Sequence, residues 1–284
     1  QSIDTDIFYL NTDGTVVYGN QTIDGRDYIF NDLGFLQGFT YDNNGNPLYY
    51  HNPDGSQAKG VQKIAGKYYK FNEVTGAFEG FVNQRIVIDV SHHQGVIDWN
   101  AVKNSGMVDA VILRLGYSTD GLDTQFLRNV SELNRLGIPY TVYLFSYAEN
   151  AYEAEMEADF LINTIKNNPV YISSNIFSIY YDLEDWYISS TGQNSYSISK
   201  ETYASMITTF ANKVKVALGI DVKVYASTDY IETRFPDSVS SYIGWVAQWG
   251  PECTYEGSYN GWQYTSDGSV PGINGRVDMS IFYY

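Results

Sequence analysis

The chain has a single cysteine, Cys253, among its 284 residues. One thiol allows neither an intramolecular disulfide nor a cysteine-based metal cluster. Positive charge is also scarce: 17 Lys and Arg stand against 33 Asp and Glu, a formal net charge of −16. The deficit is spread, −5 over residues 1–83 and −11 over residues 84–284, so neither part offers a basic patch for a phosphate backbone. Nucleic acid is therefore not an expected partner, and a neutral ligand suits the chain better than a polyanion. No run of 18 apolar residues occurs, so nothing reads as a membrane-spanning helix and no membrane partner is expected. No charged-then-apolar leader opens the chain at Gln1; a secreted form would have lost its signal. Tryptophan is absent from the first 98 residues, since all five lie at or after Trp99.

What is present points to folded protein. The chain is 44% hydrophobic and only 18% charged, enough to bury a sizeable core. Its 27 tyrosines offer flat apolar faces with polar tips, which suit carbohydrate as well as protein surfaces.

Residues 1–83 are periodic. Aromatic strand centres recur at Phe8-Tyr9, Tyr28-Ile29-Phe30, Tyr49-Tyr50 and Tyr68-Tyr69, each followed by a turn glycine: Gly14, Gly34, Gly55 and Gly76. A second glycine follows each, at Gly19, Gly38, Gly60 and Gly80. Segments such as Thr12-Asp13-Gly14, Asn43-Asn44-Gly45-Asn46 and Pro53-Asp54-Gly55 are strong turn formers. The unit is a β-hairpin of about 20 residues, and one hairpin cannot bury its own face, so stacked hairpins sharing a core are expected, as in a solenoid.

From Arg85 onward apolar runs alternate with amphipathic segments. Strands are expected at Ile86–Val90, Val108–Leu115, Tyr140–Phe145, Ile176–Asp182 and Val222–Tyr225. Helices are expected from Asp98, over Asp123–Leu136, Ala151–Lys166 and Ser199–Leu218. Three further strands, Ile243–Gln248, Gly261–Thr265 and Val277–Tyr283, follow with no full helices between them. This predicts an α/β fold: residues 84–284 as an irregular TIM-like (β/α)5β3 barrel, preceded by the small all-β hairpin domain of residues 1–83.

Within that barrel the working residues belong at the C-terminal strand ends. The fourth strand carries Tyr180, Asp182 and Glu184 on one face and Ile179, Tyr181 and Leu183 on the other. Two carboxylates on one strand face lie ~7 Å apart and raise one another's pKa, which keeps an acid protonated for general-acid work. Asp89, Tyr147, Gln248, Trp249 and Gln263 occupy comparable strand ends, while Asp278 falls near the start of its strand. Each has a plainer reading: Asp89 as a loop cap, Asp278 as an ion-pair partner of Arg276 or Arg114, the aromatics as core. His92 and His93 resemble a metal or base pair, but neighbours on a strand point apart and no third ligand is spaced with them. No metal and no cofactor are therefore expected. Asp185 reads as a solvated neighbour, and the Ser189–Ser197 loop as a groove rim.

The segment Ile88-Asp89-Val90-Ser91-His92-His93-Gln94-Gly95-Val96-Ile97-Asp98-Trp99 resembles the opening motif of glycoside hydrolase family 25, the Chalaropsis-type lysozymes. Asp182-Leu183-Glu184 is similar to the family's strand-end Asp-x-Glu. Leu113-Arg114-Leu115-Gly116-Tyr117, Ala247-Gln248-Trp249, Trp262-Gln263-Tyr264 and Ile273-Asn274-Gly275-Arg276-Val277-Asp278 follow in the family's order. The resemblance implies a secreted, wall-acting N-acetylmuramidase whose partner is the peptidoglycan glycan strand. It makes Glu184 the general acid and Asp182 the residue that holds charge or the substrate's acetamido group. It places Asp89 and Asp278 on the acidic floor, with Arg114, Tyr147, Trp186, Gln248, Trp249, Gln263 and Tyr264 binding substrate. Spacing leaves open whether the acetamido group, a carboxylate or water is the nucleophile; substrate assistance is the reading taken. Residues 1–83 resemble cell-wall-binding (choline- or glucan-binding) repeats, which implies a wall polysaccharide or teichoic acid as their ligand. They depart from the choline-binding pattern, because Phe39, Val61 and Phe81 stand where that version carries Trp. A non-catalytic wall adhesin and a chitinase-like glycosidase are the competing readings.

Overall fold

The protein's structure, a computed structural model, describes residues 2–283 apart from 4–5, 8, 24, 43–45, 65–66, 73, 83, 174–176 and 189–191. Phe8, the Asn43-Asn44-Gly45 turn, the expected strand start at Ile176 and residues 189–191 of the expected rim loop lie outside the described residues. The chain forms two compact units, Gln1–Asn83 and Gln84–Tyr284.

The first unit is built of antiparallel strands. Gly19–Ile23, Arg26–Phe30, Leu36–Tyr41 and Pro47–His51 form a four-stranded sheet, and Gly60–Ile64, Lys67–Phe71 and Phe78–Val82 a three-stranded one. The turns repeat at the level of hydrogen bonds. Asn11, Asn31, Asn52 and Asn72 each open a turn by donating their N–H to Thr15, Phe35, Ser56 and Ala77 carbonyls at 2.8–2.9 Å. In each turn the periodic glycine, in a left-handed conformation at Gly14, Gly34, Gly55 and Gly76, donates back to that asparagine's carbonyl at 2.9 Å. An L side chain at these φ values is strained, so glycine is retained where the turn repeats.

The second unit is a closed barrel of eight strands: β1 (Gln84–Val90), β2 (Ala110–Tyr117), β3 (Tyr140–Phe145), β4 (Ile179–Asp182), β5 (Val222–Ser227), β6 (Ile243–Ala247), β7 (Gly261–Gly268) and β8 (Val277–Tyr283). Strands β1 to β7 run parallel from neighbour to neighbour around the barrel. Strand β8 closes it antiparallel to both β7 and β1, so the eight strands are mixed rather than uniformly parallel. The helices are α1 (Trp99–Ser105), α2 (Phe126–Leu136), α3 (Ala151–Asn167), α4 (Lys200–Leu218) and a short α5 (Thr228–Arg234). Local chemistry sets their ends. Asp98 accepts the Asn100 and Ala101 amides, Asn150 that of Glu153, and Ser199 that of Thr202. Helix α2 starts at Phe126 rather than at Asp123, because the Asp123 carboxylate is taken by Arg114 and His92.

Alternation along the strands sorts two cores. Ile88, Leu113, Val142, Ile179 and Tyr181 face outward against Phe126 and Leu133 of α2 and Tyr203, Ile207 and Phe210 of α4. Tyr181 stacks on Phe210 with centroids 4.0 Å apart. Val87, Ile112, Tyr180, Trp245 and Phe282 point inward and fill the barrel's lower half, where the Trp245 ring sits among Tyr180 at 5.3 Å, Tyr225 at 4.2 Å and Phe282 at 6.1 Å. The barrel is plugged below, and only its upper layer is free to hold polar groups.

Candidate active site

One step above the aromatic plug the inward positions turn acidic. Tyr180 is followed on the same face by Asp182, the last residue of β4, and then by Glu184 just past it. Asp89, next to last on β1, is the register partner of Asp278, the second residue of β8. The reversed direction of β8 thus brings the start of that strand to the rim formed by the ends of the others. All four carboxylates line a cavity of about 290 Å³ that also receives Arg114, His93, Tyr143 and Tyr225.

The cluster is electrostatically loaded. Burial lifts the Asp89 carboxyl well above the ordinary carboxylate range, the charge of Asp278 raises it further, and the Gln263 hydrogen bond opposes this. Burial also lifts Asp182, reinforced by Glu184 and Asp89 and resisted by Arg114. Its Oδ1 atom is buried and has no hydrogen-bond partner among the described residues. Glu184 is raised by burial, against a lowering contribution from the Tyr225 hydroxyl. Asp278 is raised by burial as well. A carboxyl group raised in this way keeps its proton to higher pH than an exposed one does.

Arg114 supplies the positive charge, and it is fixed from behind. Its Nε and Nη2 donate to Asp123 Oδ2 at 3.1 and 2.9 Å, and Nη2 also donates to the Tyr117 hydroxyl at 2.5 Å and contacts His92 Nδ1. The same Asp123 oxygen accepts the His92 backbone N–H at 2.9 Å. Asp123 is lowered on balance: burial raises it, and the His92 and Gln125 amides and Arg114 outweigh this. A register shift in β2 between Arg114 and Gly116 re-aims the strand end toward this cluster. Arg114 therefore pairs with Asp123 and not with Asp278.

A second cavity, of about 410 Å³, adjoins the first at Glu184 and Tyr225 and is lined further by Asp185, Asp229, Tyr230 and Trp249. Gln263 ties the two together: its Nε2 donates to Asp89 Oδ2, and its Oε1 accepts from the Tyr225 hydroxyl and Trp249 Nε1, each at 3.0 Å. An acid standing between two adjoining hollows can protonate a bond whose two halves occupy them.

The model of the glycosyl hydrolases of family 25 matches residues 88–273, spanning the barrel from β1 to the approach to β8. The chain belongs to glycosyl hydrolase family 25. It is 28% identical to lysozyme M1 of Streptomyces globisporus over 203 residues and 29% identical to the autolytic lysozyme of Clostridium acetobutylicum over 199 residues. Each alignment covers 69% of this chain, and the chain spans 66% and 55% of those two relatives. The modular autolysin LytC of Streptococcus pneumoniae superposes over 98% of this chain and 69% of its own, with a TM-score of 0.66 and 32% identity, and has also been solved with a synthetic peptidoglycan ligand. A lysozyme of Streptomyces coelicolor covers 70% of this chain and 91% of its own at a TM-score of 0.59 and 25% identity. The family match does not extend into residues 1–83.

Of the residues singled out from sequence, Asp89, Arg114, Asp182, Glu184 and Asp278 meet in the first cavity, and Trp249 lines the second. Gln263 is buried behind them. Tyr147 and Trp186 pack edge to face at 5.5 Å, with Trp186 buried and Tyr147 positioned through its N–H by the buried Glu157. Gln248 is turned to Thr254 and Thr228, holding the loop after β6. Tyr264 packs beside Trp262, its hydroxyl 3.7 Å from Met279 Sδ. His92 and His93 lie in a 3-10 turn, not on a strand, so their rings sit together with centroids 4.1 Å apart. His92 braces the Arg114 cluster and His93 faces the cavity. Sequence reasoning missed Asp123, Tyr143 and Tyr225. The two tyrosines occupy inward-facing parity near strand ends, a signal that was available; Asp123 read as the start of a helix.

Proposed function

We propose that this chain is a lysozyme that cleaves the β-1,4 bond between N-acetylmuramic acid and N-acetylglucosamine in peptidoglycan. The observation that carries the reading is Glu184, a raised-pKa acid at the junction of two cavities, ringed by three further carboxylates. Membership of family 25 and the peptidoglycan ligand bound by the pneumococcal autolysin support the substrate class. Glu184 gives its proton to the leaving O4 as the bond to C1 breaks. The acetamido carbonyl oxygen closes on C1, and the unpartnered Asp182 Oδ1 accepts the acetamido N–H. Water then adds to C1 as the C1–O bond to the acetamido oxygen breaks and the amide re-forms, and the water gives a proton to Glu184, with net retention. Asp278, raised by burial but lowered in part by its hydrogen bond to the protonated Asp89, provides negative charge that favours the oxocarbenium-like centre.

Residues 1–83 serve as a wall-binding module that tethers the barrel to its polymer, which raises local substrate concentration without new catalytic contacts. The stacking of turns supports this reading: Asn31 Nδ2 and Gln37 Nε2 both donate to the Pro53 carbonyl of the next repeat, at 3.1 and 2.8 Å. The protein then acts outside the cell, at the wall.

Product analysis tests the assignment. Digested walls should yield new reducing ends of muramic acid; reducing glucosamine ends would instead indicate a different glycosidase. A truncation starting at Gln84 should retain activity on soluble glycan fragments and lose sedimentation with intact walls. Unchanged sedimentation would remove the tethering role.

A further inference from the structure

The hydrogen bonds around Gln263 leave no freedom in how its amide is turned. The Trp249 indole N–H is a donor only, and it approaches Oε1 at 3.0 Å. The Tyr225 hydroxyl donates to the same oxygen at 3.0 Å. Flipping the amide would set two N–H groups against each other, so the NH2 end must face Asp89 Oδ2, at 3.0 Å. That oxygen is thereby committed to accepting, and a proton on Asp89 belongs on Oδ1. Gln263 is 2% exposed, whereas Trp249 is 64% exposed on the wall of the second cavity.

We propose that Trp249, Gln263 and Asp89 form a positioning relay, through which a sugar seated against Trp249 in the second cavity fixes where Asp89 carries its proton in the first. Trp249 and Gln263 are positioning residues in this relay. The exposed indole can swing when the second cavity is empty; a saccharide ring laid on it holds the N–H on Gln263. The Asp89 proton then stays on Oδ1, away from Gln263, in the shared setting with Asp278. Asp89 is faced by Asp278 from β8, Asp182 and Glu184 from the β4 end, and Tyr143 and Tyr225 from β3 and β5. Arg114 and His93 line the same hollow. The proton's location on Asp89 therefore acts on the field at the acid itself.

The kinetic part of the test rests on the lysozyme reading; the spectroscopic part does not. Trp249→Phe keeps a smaller aromatic face for stacking and removes the indole N–H. It is expected to lower kcat about tenfold with KM within about twofold, and to move the pH profile of kcat. Trp249→Ala should raise KM in addition. A Trp249→Phe variant with altered KM, unchanged kcat and an unmoved pH profile would show a stacking surface alone and overturn the relay. Independently, the 15N–1H indole resonance of Trp249, assigned by its loss in Trp249→Phe, should follow the carboxylate titration in the full chain. It should stop doing so in Gln263→Met. Persistence of that titration in Gln263→Met overturns the relay whether or not the chain cuts walls, and inactive wild type with an intact spectroscopic response overturns the lysozyme reading alone.

Discussion

Two sides of one cavity treat buried carboxylates in opposite ways. On the Arg114 side, Asp123 is buried but saturated: a guanidinium and two backbone amides hold it ionised below its ordinary range. On the β4 side, Asp182 is buried and undersupplied, with one oxygen unpartnered and two acids close by, and it is raised. Both side chains are nearly closed to solvent, but Asp182 lies deeper and lacks the donors that Asp123 has, and the two differences together decide whether a carboxylate is a strut or a reagent. The first kind holds the site together; the second kind is held at a cost so that it can work.

Substitutions should separate the two sides. The largest effect belongs to Glu184→Gln, which removes the proposed proton donor and should lower wall hydrolysis about 10³-fold with little change in melting temperature. Release of reducing ends measures it, and retained activity would move the acid elsewhere. Asp123→Ala leaves Arg114 buried without its partner and should cost about 3 kcal/mol in chemical denaturation, with activity lost through a displaced Arg114. A loss of activity without loss of stability would mean that Asp123 is no strut. Asp182→Asn should do the reverse: activity falls, while stability at pH 7 rises by about 1 kcal/mol because the cost of burying a carboxyl that the unfolded chain leaves ionised is removed. A destabilised Asp182→Asn would break the comparison.

The smallest effect is a matter of sign with pH. The raised groups, Asp89, Asp182, Glu184 and Asp278, hold protons in the folded state that the unfolded chain has already released. Their contribution to stability therefore falls as pH rises from the ordinary carboxylate range toward their raised values. Asp123 is lowered, so its contribution is present above the ordinary aspartate value and is lost as pH falls through its folded value. Melting curves of Asp123→Asn and Asp182→Asn should thus match wild type at low pH and diverge from it in opposite directions as pH rises, the first less stable and the second more stable than wild type. Hydrolysis should fade above the raised pKa of Glu184, as the proton it must donate is lost.

The parts of this architecture that depend on short-range pattern were readable in the chain. Period-2 alternation put Tyr180, Asp182 and Glu184 on the inner face, and the helix-free tail pointed to an irregular barrel end. Side-chain caps at Asp98 and Ser199 were visible because a cap needs only its next three residues. What stayed hidden depends on partners far apart in sequence. Arg114 and Asp123 read as a strand residue and a helix start, and only the fold joins them to His92. Gln263 reaches Asp89 across 174 positions, so a residue that read as a sugar contact is a buried link. Trp186 and Gln248 looked equally suited to bind sugar; one is core-packed and the other braces a loop, and composition does not distinguish these fates.

The reversal of β8 has a consequence for how the barrel can be handled. Gln84 and Tyr283 are paired neighbours in the sheet, so the barrel's first and last strands enter and leave at the plugged floor. The rim, where Asp278 begins the same strand, holds neither the start of the first barrel strand nor the end of the last. A label or surface tether joined at the last strand therefore emerges from the sealed end of the barrel, and the mouth can stay open to a long polymer while the protein is held fast.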